Sequence, residues 1–83
     1  MHEVAVAQSI LDMAADVAKQ NNAVKITRIN LRLGAHACIN PDSLEFAFSC
    51  LSQDGIADGA KLWITQVDGD PFGLEIESIE VDD

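Results

Sequence analysis

Hydrophobic residues recur along the first 22 positions at three- and four-residue intervals, with polar residues elsewhere around the helix. The apolar positions are Val6, Ile10, Met13, Ala14, Val17 and Ala18. This spacing is typical of an amphipathic helix with one buried stripe. It predicts a helix over residues 4–22 that ends at two successive asparagines.

From residue 24 the period changes to two. Isoleucine and leucine occupy positions 29, 31 and 33, and polar residues occupy 28, 30 and 32, which predicts a strand over 24–37 with one apolar face. The regular alternation ends at Gly34. A second helix is predicted over 41–53, because Asn40 is a good N-cap and Pro41 is tolerated at the first helical position. Its apolar stripe comprises Leu44, Ala47, Phe48 and Leu51.

Two further strands are predicted over 62–67 and 74–81. In the first, positions 63, 65 and 67 share one face and 62 and 64 the other. In the second, the apolar phase shifts between Ile76 and Ile79, which predicts a β-bulge near Ser78. Residues 68–73 are rich in Gly, Asp and Pro and predict a turn, so the two strands are expected to form a hairpin.

The predicted order is therefore α-β-α-β-β in a single domain over residues 1–83. Two amphipathic helices on one face of a three-stranded sheet would bury both helical stripes. The expected fold class is α+β, a two-layer α/β sandwich.

The chain has 83 residues and a formal net charge of −9, and 48% of its residues are hydrophobic. This charge argues against nucleic acid as a partner, since phosphate contacts need Lys and Arg. The sequence has no run that could span a membrane and no signal peptide, so we expect a cytoplasmic protein. Acidic residues are concentrated after residue 53, as either a solvated edge or a surface for a basic partner or a cation.

The sequence contains no glycine-rich phosphate loop and no nucleophile elbow, and we expect a protein that is not an enzyme. Its two cysteines form no CxxC pair, which excludes the usual cysteine zinc site. Cys50 is expected to be a small core residue. His36 and Cys38, at i and i+2 of the predicted strand, are a secondary metal-site candidate; the alternative is a surface histidine at a strand end.

The chain begins Met1-His2-Glu3, and a free Met-His terminus offers three nitrogen ligands in chelating order. These are the α-amine of Met1, the backbone amide of His2 and its imidazole. An amide nitrogen binds a metal only after losing its proton, which favours nickel(II) or copper(II) in square-planar geometry. Glu3, a backbone nitrogen or another residue would complete the plane.

Several stretches, in order along almost the whole chain, resemble the HypA/HybF family of nickel metallochaperones. They are MHE at the start, QSI (8–10), ITRINLRLG (26–34), PDSLEFAF (41–48), GAKL (59–62) and LEIESIEV (74–81). Family members carry a zinc-binding insertion with two CxxC pairs between the last two strands, where this chain has only residues 68–73. The chain therefore resembles the nickel-binding domain without the zinc domain, and no structural zinc is expected.

The resemblance implies a carrier of Ni(II) for [NiFe]-hydrogenase or urease, with Met1 and His2 as nickel ligands and Glu3 as a fourth or supporting one. It also implies two partners, a maturation GTPase and the large subunit of the nickel enzyme. One alternative is a protein-interaction or regulatory module that keeps the fold without metal delivery. Another is a general divalent-metal sink that uses His36 and Cys38 as well. A short hairpin can exchange between chains, which leaves a homodimer open.

Overall fold

The computed structural model describes residues 2–69 and 73–82 of the chain. Its elements are α1 (Glu3–Gln20), β1 (Lys25–Gly34), α2 (Pro41–Leu51), β2 (Lys61–Val67) and β3 (Leu74–Asp82). Both helices pack on one face of a three-stranded mixed sheet, which confirms the α+β sandwich and the element order. Neither described helix combines the length and apolar character that crossing a membrane requires.

The sheet order is β2-β1-β3, so the predicted hairpin is wrong. β2 runs parallel to β1, and β3 runs antiparallel to it on the opposite side. The reason is burial: Ile29 and Leu31 are almost fully buried, and a buried strand needs hydrogen-bond partners on both edges. The parallel pair is made possible by α2, which supplies the crossover connection between β1 and β2.

The predicted element boundaries differ from the observed ones mainly after β1. This strand ends at Gly34 and is followed by a turn, so the predicted extension to residue 37 is wrong. α1 ends at Gln20, two residues before the predicted boundary. Asn22 has a left-handed φ of 56°, which is incompatible with a continuing right-handed helix. The predicted turn over 68–73 lies partly outside the described residues, but Gly73 accepts a hydrogen bond at 2.8 Å from the backbone N–H of Gly34.

β3 contains the predicted bulge. Its pairing with β1 passes from Asn30↔Ser78 to Leu31↔Ile76, so Glu77 is the extra residue. The bulge brings Ile76 and Ile79 to the same apolar face, where both pack against the core. The register prediction from the apolar phase shift is therefore confirmed to within one residue.

The buried stripe of α1 is rotated from the predicted one. Its buried members are Ala7, Ile10, Ala14 and Ala18, whereas the side chains of Met13 and Val17 are 51% and 43% exposed. Ile10, Ala14 and Ala18 belong to the predicted stripe, and the interior position that the prediction missed is Ala7. Cys50 is also exposed, which corrects the expectation of a core cysteine.

The N-cap of α2 is formed as predicted. The side chain of Asn40 accepts a hydrogen bond at 3.0 Å from the backbone N–H of Ser43, and Pro41 occupies the first helical position. We expect Asn40→Ala to lower the free energy of unfolding by about 1 kcal/mol, since the N–H of Ser43 loses this acceptor. Chemical denaturation checks this value, and Asn40→Asp is the matched control because it retains the cap. Equal losses in both variants would contradict the capping role.

Candidate metal centre

The start of α1 lies beside α2, and the two helices border a groove of about 710 Å³. Residues from both helices line it: His2, Glu3, Val4, Asp42, Ser43, Phe46, Ala47, Cys50 and Leu51. Phe46 and Val4 are strongly exposed, at 74% and 62%. The predicted metal ligands His2 and Glu3 therefore line a groove that also has exposed apolar side chains.

His2 is the N-cap residue of α1, with an extended backbone at φ −85° and ψ 107°. Its carbonyl accepts the first helical hydrogen bond, from the N–H of Val6 at 3.1 Å. Its side chain is exposed and makes no capping hydrogen bond, so the helix does not use the imidazole. Met1 lies outside the described residues.

The backbone nitrogens at this helix start precede the helical ladder. In an α-helix the first N–H groups have no carbonyl four residues earlier to accept from them. Since the ladder begins with the Val6 N–H, the amide nitrogens of His2 and Glu3 are free of i→i−4 bonding. A metal could replace the proton on either nitrogen without breaking a helical hydrogen bond.

The charged groups that line the groove, besides the titratable His2, are two carboxylates. Glu3 is in the first turn of α1 and is half-buried, while Asp42 is in the first turn of α2 and is exposed. None of the lining residues is Lys or Arg. Carboxylates near two helix N-termini offset the positive ends of the helix dipoles, which makes the position less unfavourable for a cation.

His36 and Cys38 lie in the connection between β1 and α2, and neither lines the groove at His2. The strand-based reason for grouping them is wrong, because both residues follow the end of β1. Cys38 has a left-handed φ of 57°, and its thiol donates to the carbonyl of His36 with a 3.6 Å separation of Sγ and oxygen. A shared metal at these two side chains stays a prediction.

Across residues 2–69 and 73–82, no group of three or more His, Cys, Asp or Glu side chains is arranged to hold a metal ion. A metal at His2 would accordingly depend on main-chain nitrogens and the chain terminus. Sequence reasoning did not predict that Asp42 and Cys50 line the same groove as His2. Their i, i+8 spacing, with Phe46 between them, placed them on one helical face, but only the packing of α2 against α1 brings that face into the groove that His2 lines.

Comparison with known families gives a match over most of the chain. The sequence model described as hydrogenase/urease nickel incorporation, metallochaperone, HypA matches residues 1–71. Curated relatives named hydrogenase maturation factor HypA include one from Methanocella arvoryzae, 36% identical over 67 residues, which cover 81% of this chain and 59% of the relative. Another, from Methanobrevibacter smithii, is also 36% identical and is covered over 54% of its length. The chain thus spans somewhat more than half the length of these relatives.

Solved structures share the fold at low sequence identity. The solution structure of the Ni metallochaperone HypA from Helicobacter pylori superposes with a TM-score of 0.85 at 18% identity, covering 98% of this chain and 97% of that one. A second solution structure of a HypA protein gives a TM-score of 0.78, also at 18% identity. At this identity the superpositions support the architecture described above.

Proposed function

Because the chain belongs to the HypA family of hydrogenase and urease nickel-incorporation metallochaperones, we propose that it binds and carries Ni(II) at its N-terminal Met1-His2-Glu3. The observation that carries this proposal is that neither the imidazole nor the amide nitrogen of His2 is used by the helix. Its imidazole is exposed and unused by the helix, and its amide nitrogen precedes the first helical hydrogen bond.

The ligand set we propose is the α-amine of Met1, the deprotonated amide nitrogen of His2 and the imidazole of His2. Glu3 supplies the fourth ligand, through its carboxylate or its backbone nitrogen. Nitrogen-rich, square-planar coordination suits Ni(II) and Cu(II) and does not suit harder cations such as Mg²⁺. The nickel is cargo, so the protein acts as a carrier and not as a catalyst.

The same family relation supports a proposal for the delivery partners. We propose that the carrier works with a maturation GTPase and passes nickel to the large subunit of a nickel enzyme, either [NiFe]-hydrogenase or urease. The exposed side chain of His2 at a helix start can be approached by a partner from the solvent side, which suits transfer. We also propose that residues 68–73 stand where relatives have a zinc-binding insertion, so that this chain needs no structural zinc.

The alternative function is a protein-interaction or regulatory module with this fold and no metal delivery. The observation in its favour is the exposed apolar floor of the groove, with Phe46 and Val4. The metal-sink alternative would use His36 and Cys38. The three functions differ in which substitutions change nickel binding.

Extending the chain before Met1 tests the proposal. A Gly-Ser extension converts the α-amine into an amide, and we expect it to weaken nickel binding by about 100-fold while leaving the fold unchanged, since one of the chelating nitrogens is lost. Isothermal titration of protein with a verified free Met1 gives the reference, with an expected stoichiometry of one nickel per chain. The matched control is a Gly-Ser extension after the C-terminus. Equal affinity of both extended proteins would reject the terminal chelate, and a loss confined to His36→Ala or Cys38→Ala would indicate the metal sink.

A further inference from the structure

β2 is an edge strand with one side unpaired. It pairs with β1 alone, and no strand in the described parts of the chain pairs with its outer edge. Its sequence, KLWITQV, contains no Pro, no Gly and a single charged residue, Lys61. A cleft of about 320 Å³ lies between α2 and residues 60–63 of the chain, so the helix layer does not close against this end of the strand.

The other edge of the sheet differs in charge and regularity. β3 carries four acidic residues within nine positions, and it contains the bulge at Glu77. Acidic charge and bulges are two ways in which proteins prevent edge-to-edge pairing. The register of β2 against β1 is continuous over all seven of its residues. Of the two edges of this sheet, therefore, only the β3 edge is protected against pairing with a strand of another chain.

We propose that β2 pairs with β2 of a second copy of this chain, antiparallel and centred on Ile64, to form a symmetric dimer with a six-stranded sheet. The chain carries −9 overall, yet this strand carries only the positive charge of Lys61. Self-pairing through β3 would instead bring eight carboxylates together. A two-fold interface also closes after two copies, whereas pairing of β2 with β3 of the next copy would be head-to-tail and give larger rings or filaments.

The register centred on Ile64 is self-complementary residue by residue. It places Trp63 opposite Thr65, Leu62 opposite Gln66 and Ile64 opposite its own symmetry mate. Aromatic residues opposite β-branched ones are among the favourable cross-strand pairs. Lys61 lies opposite Val67, so no two like charges are directly opposed.

The side chain of Trp63 is already held in place on the open face of the sheet. The guanidinium of Arg28 stacks 4.4 Å from the centre of the indole and is itself paired with Glu80 at 3.4 Å. Arg28 also donates at 2.7 Å to the side chain of Asn30. Because these contacts order the indole before association, less side-chain entropy is lost when it meets Thr65 of the second copy.

The pairing uses β2, while the candidate metal centre lies at the start of α1, so the dimer does not depend on the proposed nickel function. A seven-residue edge buries less surface than a standard interface of roughly 1,600 Å², which predicts a weak, concentration-dependent dimer. Both copies carry net negative charge elsewhere. Added salt screens that repulsion, so association should strengthen between about 0.05 and 0.5 M NaCl.

Charge substitutions at Val67 test the register, because this side chain faces Lys61 of the second copy at two symmetric positions. Relative to Val67→Gln, we expect Val67→Lys to weaken the dimer about fivefold and Val67→Glu to strengthen it by a similar factor. The double variant Lys61→Glu/Val67→Lys should restore the affinity lost in Val67→Lys. Sedimentation equilibrium of the full chain, with a chelator present to exclude metal-bridged association, measures each dissociation constant.

This series separates local pairing from general charge effects. Val67→Lys reduces the net negative charge and Val67→Glu increases it, so overall repulsion alone predicts the opposite order of affinities. That opposite order, equal constants for the two variants or a monomer at millimolar concentration would overturn the proposal. Association beyond a dimer would also overturn it, because it would indicate pairing of β2 with β3.

Discussion

His2→Ala is expected to lower the affinity for Ni(II) by about 100-fold or more, equivalent to about 2.7 kcal/mol of binding free energy. The substitution removes the imidazole, and with it one of the two chelate rings that hold the metal on the chain terminus. The absorption band of square-planar, nitrogen-bound nickel should therefore be absent from the His2→Ala variant. Titration against a competing chelator measures the affinity, and the visible spectrum reports the geometry.

The fold should not respond to this substitution. The side chain of His2 is exposed and makes no capping hydrogen bond, so the free energy of unfolding should change by less than about 0.5 kcal/mol. His36→Ala is the matched control, since it removes the other histidine of the chain and leaves the terminus intact. Nickel affinity within threefold of the parent in His2→Ala would contradict the proposed site, whatever the result for His36→Ala.

Phe48→Ala is expected to have the largest effect on stability. Phe48 is 1% exposed and is among the largest fully buried side chains. Removing a buried phenylalanine costs about 3–5 kcal/mol in lost burial and cavity formation. A chain of this length has a total stability of about 4–12 kcal/mol, so the substitution should remove at least about a quarter of it and shift the unfolding midpoints clearly downward. Thermal and urea denaturation followed by circular dichroism measure the loss.

The same helix offers a matched control two positions away. Phe46 is 74% exposed, so Phe46→Ala removes an identical side chain without opening a core cavity. We expect a change of less than about 0.5 kcal/mol in the free energy of unfolding. A comparable loss in both variants would show that α2 packs by a different face from the one described here.

The elements themselves were predictable because each depends on local chemistry. The alternation at residues 28–33 indicates a strand with one buried face, and Asn40 with Pro41 indicates a helix start; both are present. The bulge near Ser78 followed from a phase shift within one strand. Hydrophobic periodicity and helix capping depend on residues a few positions apart, so the sequence alone is enough to predict these elements.

The errors concern contacts between distant parts of the chain. Turn residues between β2 and β3 favour a hairpin locally, but the burial of β1 places both strands beside it instead. The predicted stripe of α1 correctly included Ile10, Ala14 and Ala18, but it also included Met13 and Val17, which are exposed, and it missed Ala7, which is buried. The packing of α2 against α1 places Asp42 and Cys50 in the groove that His2 also lines, which no local pattern of α2 could indicate.

The position of β1 between β2 and β3 has a consequence for how the chain tolerates changes in length. The connection from Val67 to Leu74 must cross two inter-strand spacings, about 10 Å, and six residues can extend to about 20 Å. Closing a loop becomes more costly only with the logarithm of its length, so a tenfold longer connection costs about 2 kcal/mol of entropy. Segments of very different size can therefore be exchanged at this crossing while the sandwich below remains the same folding unit.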